Sequence, residues 1–123
     1  LGLIANQEPS LGEITYFAFG IPSAEFHDEL WGEIHCLIDP GSESGLNKAL
    51  NEKYGFDYEK TWIREGKNGL RSESATIPYY IRSSSHHPEN RHNKPYTDDE
   101  LEESTESLIA VLKALQSTQT NTP

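Results

Sequence analysis

Cysteine is nearly absent from this 123-residue chain: Cys36 stands alone, so no disulfide can form within it. A zinc site built on several cysteines is excluded for the same reason, and a lack of disulfides is typical of a reducing compartment. Long apolar runs are absent as well, since none approaches the roughly 20 residues that a membrane-spanning helix needs. These absences predict a cytoplasmic protein that has no membrane partner.

Basic residues are also scarce, with 10 Lys and Arg against 20 Asp and Glu and a formal net charge of -10. Such a charge repels phosphate backbones and anionic lipids, so direct binding of nucleic acid or of a membrane is disfavoured. It attracts a basic protein or a multivalent cation instead. Acidic residues also keep small proteins soluble, so the charge by itself does not define a function.

Hydrophobic residues make up only 34% of the chain, which is less than in an average globular domain. Two Trp, six Tyr and four Phe compensate, because each ring removes a large area from water. A chain of 123 residues suffices for one hydrophobic core and not for two. We expect a single domain at residues 13–116, a lead-in segment at 1–12 and a polar tail at 117–123.

The sequence contains none of the common phosphate-binding or nucleophile motifs. No P-loop and no G-x-G-x-x-G occurs. Residues 41–45 resemble a nucleophile elbow, but Glu43 stands where the serine would be. His27, Asp28 and Glu29 are adjacent, and adjacent residues do not share one face of a strand or of a helix. A catalytic pocket would have to be assembled by folding, so the sequence does not favour an enzyme and assigns no catalytic residue.

Two segments near the start of the chain have the pattern of strands. Residues 14–19, ITYFAF, are apolar or aromatic on both faces, as expected of a strand covered on both sides. In residues 33–38 apolar and polar side chains alternate, which predicts a second strand. Residues 23–31 are ambiguous: Ser23 can cap a short helix there, or the stretch is an irregular connection.

A short middle helix is predicted after the turn at residues 39–41. Ser42 or Ser44 serves as its N-cap, and its apolar side chains recur at helical spacing. Gly55 stands where a helix often ends in the left-handed conformation, and Phe56 beyond it is placed to fold back on the helix.

Asn68-Gly69 is the clearest hairpin signal in the chain. These two residues accept the positive φ angles of a type I′ turn, which would join residues 58–66 to residues 70–77. Pro78 limits how far the second arm can pair, because proline has no amide hydrogen to donate.

Beyond the hairpin, Tyr79 and Tyr80 are expected to lie in an edge segment, where adjacent side chains point to opposite faces. One of the two rings should therefore be exposed. Residues 83–95 are polar, with two prolines and no large apolar side chain. They predict a loop of a length that is often either functional or disordered.

The last element has the strongest helix signal. Thr97 and Glu100 form a capping box, and Tyr96 and Leu101 flank it as a hydrophobic staple. Apolar side chains then recur at three- and four-residue spacing, which predicts an amphipathic helix that ends near Gln116. Six acidic residues lie in its first turns, at the positive end of the helix dipole, where acids are expected in any case.

No internal repeat is visible in the chain. The order of elements is strand, strand, helix, hairpin, loop and helix. This order predicts an α+β fold: a small antiparallel sheet of about four strands, including the Asn-Gly hairpin, with one short middle helix and a C-terminal amphipathic helix packed on one face.

A partner-binding surface is predicted where tyrosines and carboxylates come together. Large rings anchor protein interfaces, and the charges around them steer association. The alternative is that the rings belong to the core of a chain short of aliphatic residues. Inhibitors and immunity proteins dock on basic partners in this way, and a small non-enzymatic protein of this kind is the leading hypothesis. The predicted contact residues are Tyr79, Tyr80, Asp98, Asp99 and Glu102.

A divalent cation is the alternative ligand. Asp39 and Glu43 belong to a tight turn whose oxygens suit calcium, although the EF-hand pattern is absent. His87 and His92 have the spacing of a zinc-binding pair, and the residues that could complete a transition-metal site are His86, Glu89, His35 or Cys36. Histidines in a solvated loop more often bind no metal, so Asp39, Glu43, His87 and His92 are candidates and no cofactor is assigned.

Overall fold

Five helices and one antiparallel hairpin make up the fold in the computed structural model, which describes residues 2–4 and 7–120. The fold is α+β, but the predicted sheet of about four strands is wrong, because helices replace all predicted strands except the hairpin. The prediction of only two helices is wrong for the same reason. The elements are, in chain order, α1 (Leu11–Phe19), α2 (Ala24–Ile38), α3 (Glu43–Tyr54), β1 (Lys60–Gly66), β2 (Gly69–Ala75), α4 (Ile77–His86) and α5 (Asp98–Thr120).

The first predicted strand, residues 14–19, belongs to helix α1. Ser10 is the N-cap, and its hydroxyl accepts a hydrogen bond from the Glu13 amide at 3.1 Å. Gly20 ends the helix in the left-handed conformation with φ 69°, which glycine adopts without steric cost. Because apolar residues fill the whole segment, periodicity does not distinguish a helix from a strand here, and the caps indicate the helix.

The second predicted strand, residues 33–38, forms the end of helix α2. Ser23 caps this helix by accepting a hydrogen bond from the Phe26 amide at 3.1 Å, so the ambiguous segment 23–31 is helical. Cys36 is exposed, so the alternation at the end of the segment does not reflect burial. The helical period over the whole of α2 is the correct one. Its buried residues are Phe26, His27, Leu30, Trp31 and Ile34.

The middle helix is confirmed as α3. Ser42 is its N-cap and accepts a hydrogen bond from the Gly45 amide at 2.9 Å. Gly55 ends the helix with φ 75°. The Phe56 amide donates to the Leu50 carbonyl at 3.1 Å, which is the helix ending that the sequence predicts.

The hairpin is confirmed, but its turn lies one residue earlier than predicted. Gly66 pairs with Gly69, so Lys67 and Asn68 form the loop. Both loop residues have negative φ, and the positive φ of 108° falls on Gly69. The type I′ turn at Asn68-Gly69 is therefore wrong, since that turn requires positive φ at both of its central residues.

The predicted edge segment at Tyr79 and Tyr80 is instead part of helix α4. Thr76 caps this helix, and Pro78 lies in its first turn, where the missing amide hydrogen of proline costs little. Both rings turn inward, with 2% of Tyr79 and 4% of Tyr80 exposed. The expectation that one ring is exposed is therefore wrong. Helix α4 also includes the start of the predicted loop at 83–95.

The rest of that loop runs along the edge of β1. The Ile63 amide donates to Asn93 Oδ1 at 2.8 Å. The side-chain amides of Asn90 and Asn93 both donate to the Ile63 carbonyl, at 2.9 and 2.8 Å. Two asparagine side chains therefore satisfy the edge of β1 as the backbone of a third strand would.

The C-terminal helix is confirmed as α5, with its predicted capping box. The Glu100 amide donates to the Thr97 hydroxyl at 3.1 Å, and the Thr97 amide donates to the Glu100 carboxylate at 2.9 Å. The helix continues to Thr120, beyond the predicted end at Gln116 and into the predicted tail, and residues 121–123 lie outside the described residues. No helix in the described part of the chain is long and apolar enough to cross a membrane. The predicted apolar stripe is buried at Leu101, Thr105, Leu108 and Leu112.

The hydrophobic core lies between α2 and α5, which pack along each other, with α4 against both. The hairpin closes one end of this core, because Trp62 of β1 meets Tyr80 edge-on with ring centroids 5.5 Å apart. Leu3 is buried in the same core, and α1 begins at Leu11. The folded unit therefore includes part of the segment predicted as a lead-in.

Candidate functional site

A cleft between α3, α4 and β1 brings together side chains of several chemical types. Its volume is about 240 Å³. The first turn of α3, the face of α4 that lies towards α3 and one residue of β1 form its walls. We refer to it as the α3–α4 cleft. Its lining includes two guanidinium groups, two imidazoles and several hydroxyls, those of Arg64, Arg82, His86, His87, Tyr79 and Ser44.

Arg82 on α4 lies between two carboxylates that come from other helices. Its Nη1 is 3.7 Å from Asp28 Oδ1 on α2, and its Nη2 is 3.5 Å from Glu43 Oε1 on α3. Arg82 and Asp28 are mostly buried, whereas the Glu43 side chain is half-exposed and also accepts a hydrogen bond from Trp31 Nε1. The guanidinium is therefore held on its buried side by Asp28 and on its solvent side by Glu43.

Asp28 also contacts His86, whose Nε2 lies 3.5 Å from Asp28 Oδ2. Burial raises the pKa of Asp28, while the positive charge of Arg82 and that of protonated His86 oppose the rise. Asp28 Oδ1 has no hydrogen-bond donor within reach, so at 3.7 Å Arg82 pairs with it by charge alone. A largely buried carboxylate with a shifted pKa, next to an imidazole in a cleft, is typical of catalytic sites and also occurs in structural ion-pair networks.

Tyr79, Arg64 and Glu73 form a second network where the hairpin meets α4. Arg64 Nη2 donates to the Tyr79 hydroxyl at 2.8 Å, and that hydroxyl donates to Glu73 Oε1 at 2.7 Å. Arg64 and Glu73 also form an ion pair. Burial raises the pKa of Tyr79, so the phenol keeps its proton at neutral pH. The network fixes Arg64 of the hairpin beside α4.

His87 lies at the junction between the α3–α4 cleft and a larger cleft of about 580 Å³ beside the hairpin. Its ring packs against Trp62, with centroids 6.4 Å apart, and its Nδ1 lies 3.4 Å from Glu89 Oε1. His92 lines the larger cleft, where its Nε2 is 3.1 Å from Glu65 Oε1. Both imidazoles thus have a carboxylate beside them.

The predicted metal ligands come together only in part. Asp39 ends α2 in an exposed left-handed conformation with φ 53°, whereas Glu43 faces Arg82. His87 and His92 line one cleft. Within residues 2–4 and 7–120, no group of three or more His, Cys, Asp or Glu side chains is arranged to hold a metal ion. A cation site at these residues stays a prediction without a coordination geometry to support it.

The predicted partner-contact residues divide into two groups. Tyr79 and Tyr80 are buried, and the Tyr80 hydroxyl donates to the Lys94 carbonyl at 2.5 Å. These two rings therefore hold the core and the loop together. The carboxylates at Asp98, Asp99 and Glu102 are exposed on the first turns of α5 and available to a partner.

Sequence reasoning gave no role to Arg82, named His86 only as a possible further metal ligand, and did not favour a site at Asp28. Arg82 and His86 are four residues apart, a spacing that places both on one face of a helix, but the strand-and-loop interpretation of this segment separates them. The available signal is Thr76 followed by Pro78, an N-cap residue with a proline in the first turn. Asp28 comes from another helix, and no local pattern brings it to the same cleft.

Charge is distributed unevenly over the elements. Helices α1, α2 and α5 carry one, four and six acidic residues, and Lys113 is their single Lys or Arg. The other nine basic residues lie on α3, α4, the hairpin and the loops. The layer formed by α1, α2 and α5, which we call the acidic layer, therefore has a strongly negative charge.

Comparison with known proteins assigns no function, so a proposal has to rest on the chemistry of these side chains. No protein-family model, no curated protein and no solved structure matches the chain.

Proposed function

We propose that the α3–α4 cleft binds a phosphate ester and acts on it by acid–base catalysis. The observation that supports this most directly is the Asp28–Arg82–His86 cluster, in which one carboxylate holds a guanidinium and an imidazole at the cleft. A second imidazole, His87, and a second guanidinium, Arg64, line the same cleft. These groups come from different elements, so only the folded chain assembles them.

Binding is assigned to the two guanidinium groups. A guanidinium presents several N–H donors in a planar fork that matches the oxygens of a phosphate. Arg82 already faces one anionic group at the solvent side of the cleft, the Glu43 carboxylate. A phosphate ester would take the place of this carboxylate, and Asp28 would keep Arg82 oriented from the buried side.

Catalysis is assigned to the two imidazoles, because histidine can both accept and donate a proton near neutral pH. One imidazole accepts the proton of an attacking hydroxyl as its oxygen bonds to phosphorus. The bond from phosphorus to the leaving oxygen breaks, and the second, protonated imidazole donates its proton to that oxygen. The nearby guanidinium stabilises the negative charge on the non-bridging oxygens. The attacking hydroxyl belongs to the substrate or to water.

Two chromogenic esters test this function. The compound 2-hydroxypropyl p-nitrophenyl phosphate carries its own attacking hydroxyl, whereas bis(p-nitrophenyl) phosphate requires water. We expect release of p-nitrophenolate, and the preferred ester identifies the nucleophile. Replacing either imidazole, in His86→Asn or His87→Asn, should lower the rate by about 100-fold or more, in the range of general acid–base catalysis. Arg82→Lys should also lower it, since lysine keeps the charge but loses the fork.

His92→Asn is the matched control, because His92 lines the neighbouring cleft and its removal leaves the α3–α4 cleft intact. Circular dichroism spectra check that each variant remains folded. If the folded His86 and His87 variants retain the rate of the control, or if neither ester is cleaved faster than in buffer, the proposal fails.

A second function, docking on a basic protein, is favoured by the acidic layer. Its six carboxylates on the first half of α5 include the predicted contacts Asp98, Asp99 and Glu102. Complementary charge accelerates association and makes it sensitive to salt. Association with a panel of basic nucleases should therefore slow steeply as sodium chloride rises. An association rate that does not depend on ionic strength would contradict docking by charge.

A further inference from the structure

Helix α1 carries its apolar side chains on the outside. Glu13, its one charged residue, is buried with 1% exposed and accepts a hydrogen bond from the Leu3 amide at 3.0 Å. Helical spacing places the outer residues on one continuous arc that Thr15 alone interrupts. This arrangement is the reverse of an ordinary surface helix, which has its polar face in water. The exposed apolar residues of α1 are Leu11, Ile14, Phe17, Ala18 and Phe19.

Exposed apolar surface is concentrated at this helix. Among the described residues, seven large hydrophobic side chains are exposed, and five of them lie between positions 11 and 21. The most exposed are Leu11 at 79% and Phe19 at 74%. Scattered apolar side chains are normal on a protein surface, but a contiguous group of them marks an interaction site.

Carboxylates border this apolar surface. The hydroxyl of Ser10 donates to Glu29 Oε1 at 2.8 Å, which places Glu29 beside the start of α1. Burial raises the pKa of Tyr16, and the carboxylates of Glu106 and Glu102 raise it further, so α5 contributes negative charge near Tyr16 of α1. Residues 1–47 contain no Lys and no Arg. The border is therefore negative without basic residues from α1 or α2 to neutralise it.

We propose that the outer face of α1 docks a basic amphipathic helix of a partner protein, with apolar side chains against α1 and Lys or Arg beside Glu29, Glu102 and Glu106. This inference rests on the proposed docking function and names its surface. A second copy of the chain is disfavoured as the occupant, because pairing two such faces brings like charges together. An anionic membrane would be repelled for the same reason.

Two synthetic helical peptides test the surface. One arranges leucines on one face with lysines along its flanks, and the other has the same composition in scrambled order. Fluorescence anisotropy measures their affinities for the full chain at low salt. We expect the amphipathic peptide to bind at least about tenfold more tightly than the scrambled one, since only the former buries a continuous apolar face.

Substitutions assign the binding to α1. The double variant Leu11→Ser/Phe19→Ser removes the two most exposed apolar side chains, so it should fold normally. Its affinity for the amphipathic peptide should fall by about tenfold or more. Leu70→Ser is the matched control, because Leu70 is an exposed apolar residue of the hairpin at 59%. The pair Glu102→Gln/Glu106→Gln should reduce the salt dependence of binding, whereas Glu52→Gln on α3 should not.

Three outcomes would overturn the inference. If both peptides bind equally tightly and the Leu11→Ser/Phe19→Ser variant matches Leu70→Ser, docking by charge stands and the α1 surface is wrong. If neither peptide binds, the surface is wrong, and the docking function stands or falls on the salt dependence with basic nucleases. If the chain dimerises in sedimentation experiments and Leu11→Ser/Phe19→Ser abolishes the dimer, the occupant is a second copy.

Discussion

His27 lies in the core with none of its surface exposed, and its Nε2 is 2.7 Å from the Ser104 hydroxyl. The other ring nitrogen has no hydrogen-bond partner. Burial lowers the pKa of this imidazole to about 3, and the positive charge of Arg82 contributes. The native state therefore holds a neutral imidazole, whereas the unfolded chain protonates it below its ordinary pKa of 6.5.

This difference makes stability depend on pH. Between pH 6.5 and about 3 the unfolded state binds the extra proton, so the free energy of unfolding falls as the pH falls. The expected loss is about 1.4 kcal/mol for each pH unit in that window. Urea unfolding of the chain and of His27→Gln between pH 7 and 4.5 measures it, and the variant should have the shallower slope. Parallel slopes would show that His27 does not couple protonation to folding.

Glu43 is the second residue with a specific consequence, because its carboxylate occupies the solvent side of Arg82. In Glu43→Gln the negative charge is gone, while an amide oxygen can still accept the hydrogen bond from Trp31. We expect inorganic phosphate to bind this variant several-fold more tightly than the unchanged chain, since it no longer competes with a carboxylate. Isothermal titration measures the affinity. Unchanged or weaker phosphate binding would place the phosphate away from Arg82.

At the scale of elements, the segments with a distinct capping pattern are the predictable ones. The helix ending at Gly55 and the Thr97–Glu100 capping box depend on neighbouring residues, so the local sequence contains them. The helix at residues 14–19 could not be recognised from its own residues, because an apolar segment fits a buried strand as well as a helix. The caps at Ser10 and Ser23 carry the missing information.

The α3–α4 cleft was less predictable than the elements that form it. Glu43, His87 and Tyr79 are residues that the sequence singles out, but for separate roles on separate surfaces. These side chains come together only because residues 77–86 are helical and because α2, distant in the sequence, places Asp28 beside Arg82. Long-range packing of this kind leaves no local pattern to recognise.

The cap of α5 allows a test at the same scale. Thr97→Ala removes the hydroxyl that accepts a hydrogen bond from the Glu100 amide. This change should lower the free energy of unfolding by about 1 kcal/mol. Thr118→Ala near the end of the same helix is the control, because its hydroxyl bonds back to the Ala114 carbonyl in an exposed turn and has no cap to lose. Chemical denaturation compares the two. Equal losses would mean that the capping box does not stabilise the helix.

The whole molecule carries its net negative charge mainly on the acidic layer, so the carboxylates of that layer repel one another in the native state. Salt should relieve this repulsion, because the screening length falls from about 30 Å at 0.01 M to about 8 Å at 0.15 M. We expect the melting temperature to rise over that range of sodium chloride, and to rise less in Glu102→Gln/Glu106→Gln. A falling melting temperature would instead mean that ion pairs such as Lys60–Glu100 and Arg64–Glu73 dominate.

The hydrogen bonds that Asn90 and Asn93 make with Ile63 control how fast one backbone amide hydrogen exchanges with solvent. Asn93 accepts a hydrogen bond from the Ile63 amide at the edge of the hairpin. Asn90, in the same loop, donates to the Ile63 carbonyl and helps to hold the loop against β1. Exchange of the Ile63 amide hydrogen with solvent therefore requires the loop to detach from β1. Because His87 begins this loop and lines the α3–α4 cleft, that detachment would also displace one residue of the cleft. The exchange rate of the Ile63 amide hydrogen therefore measures how often the loop opens beside the α3–α4 cleft.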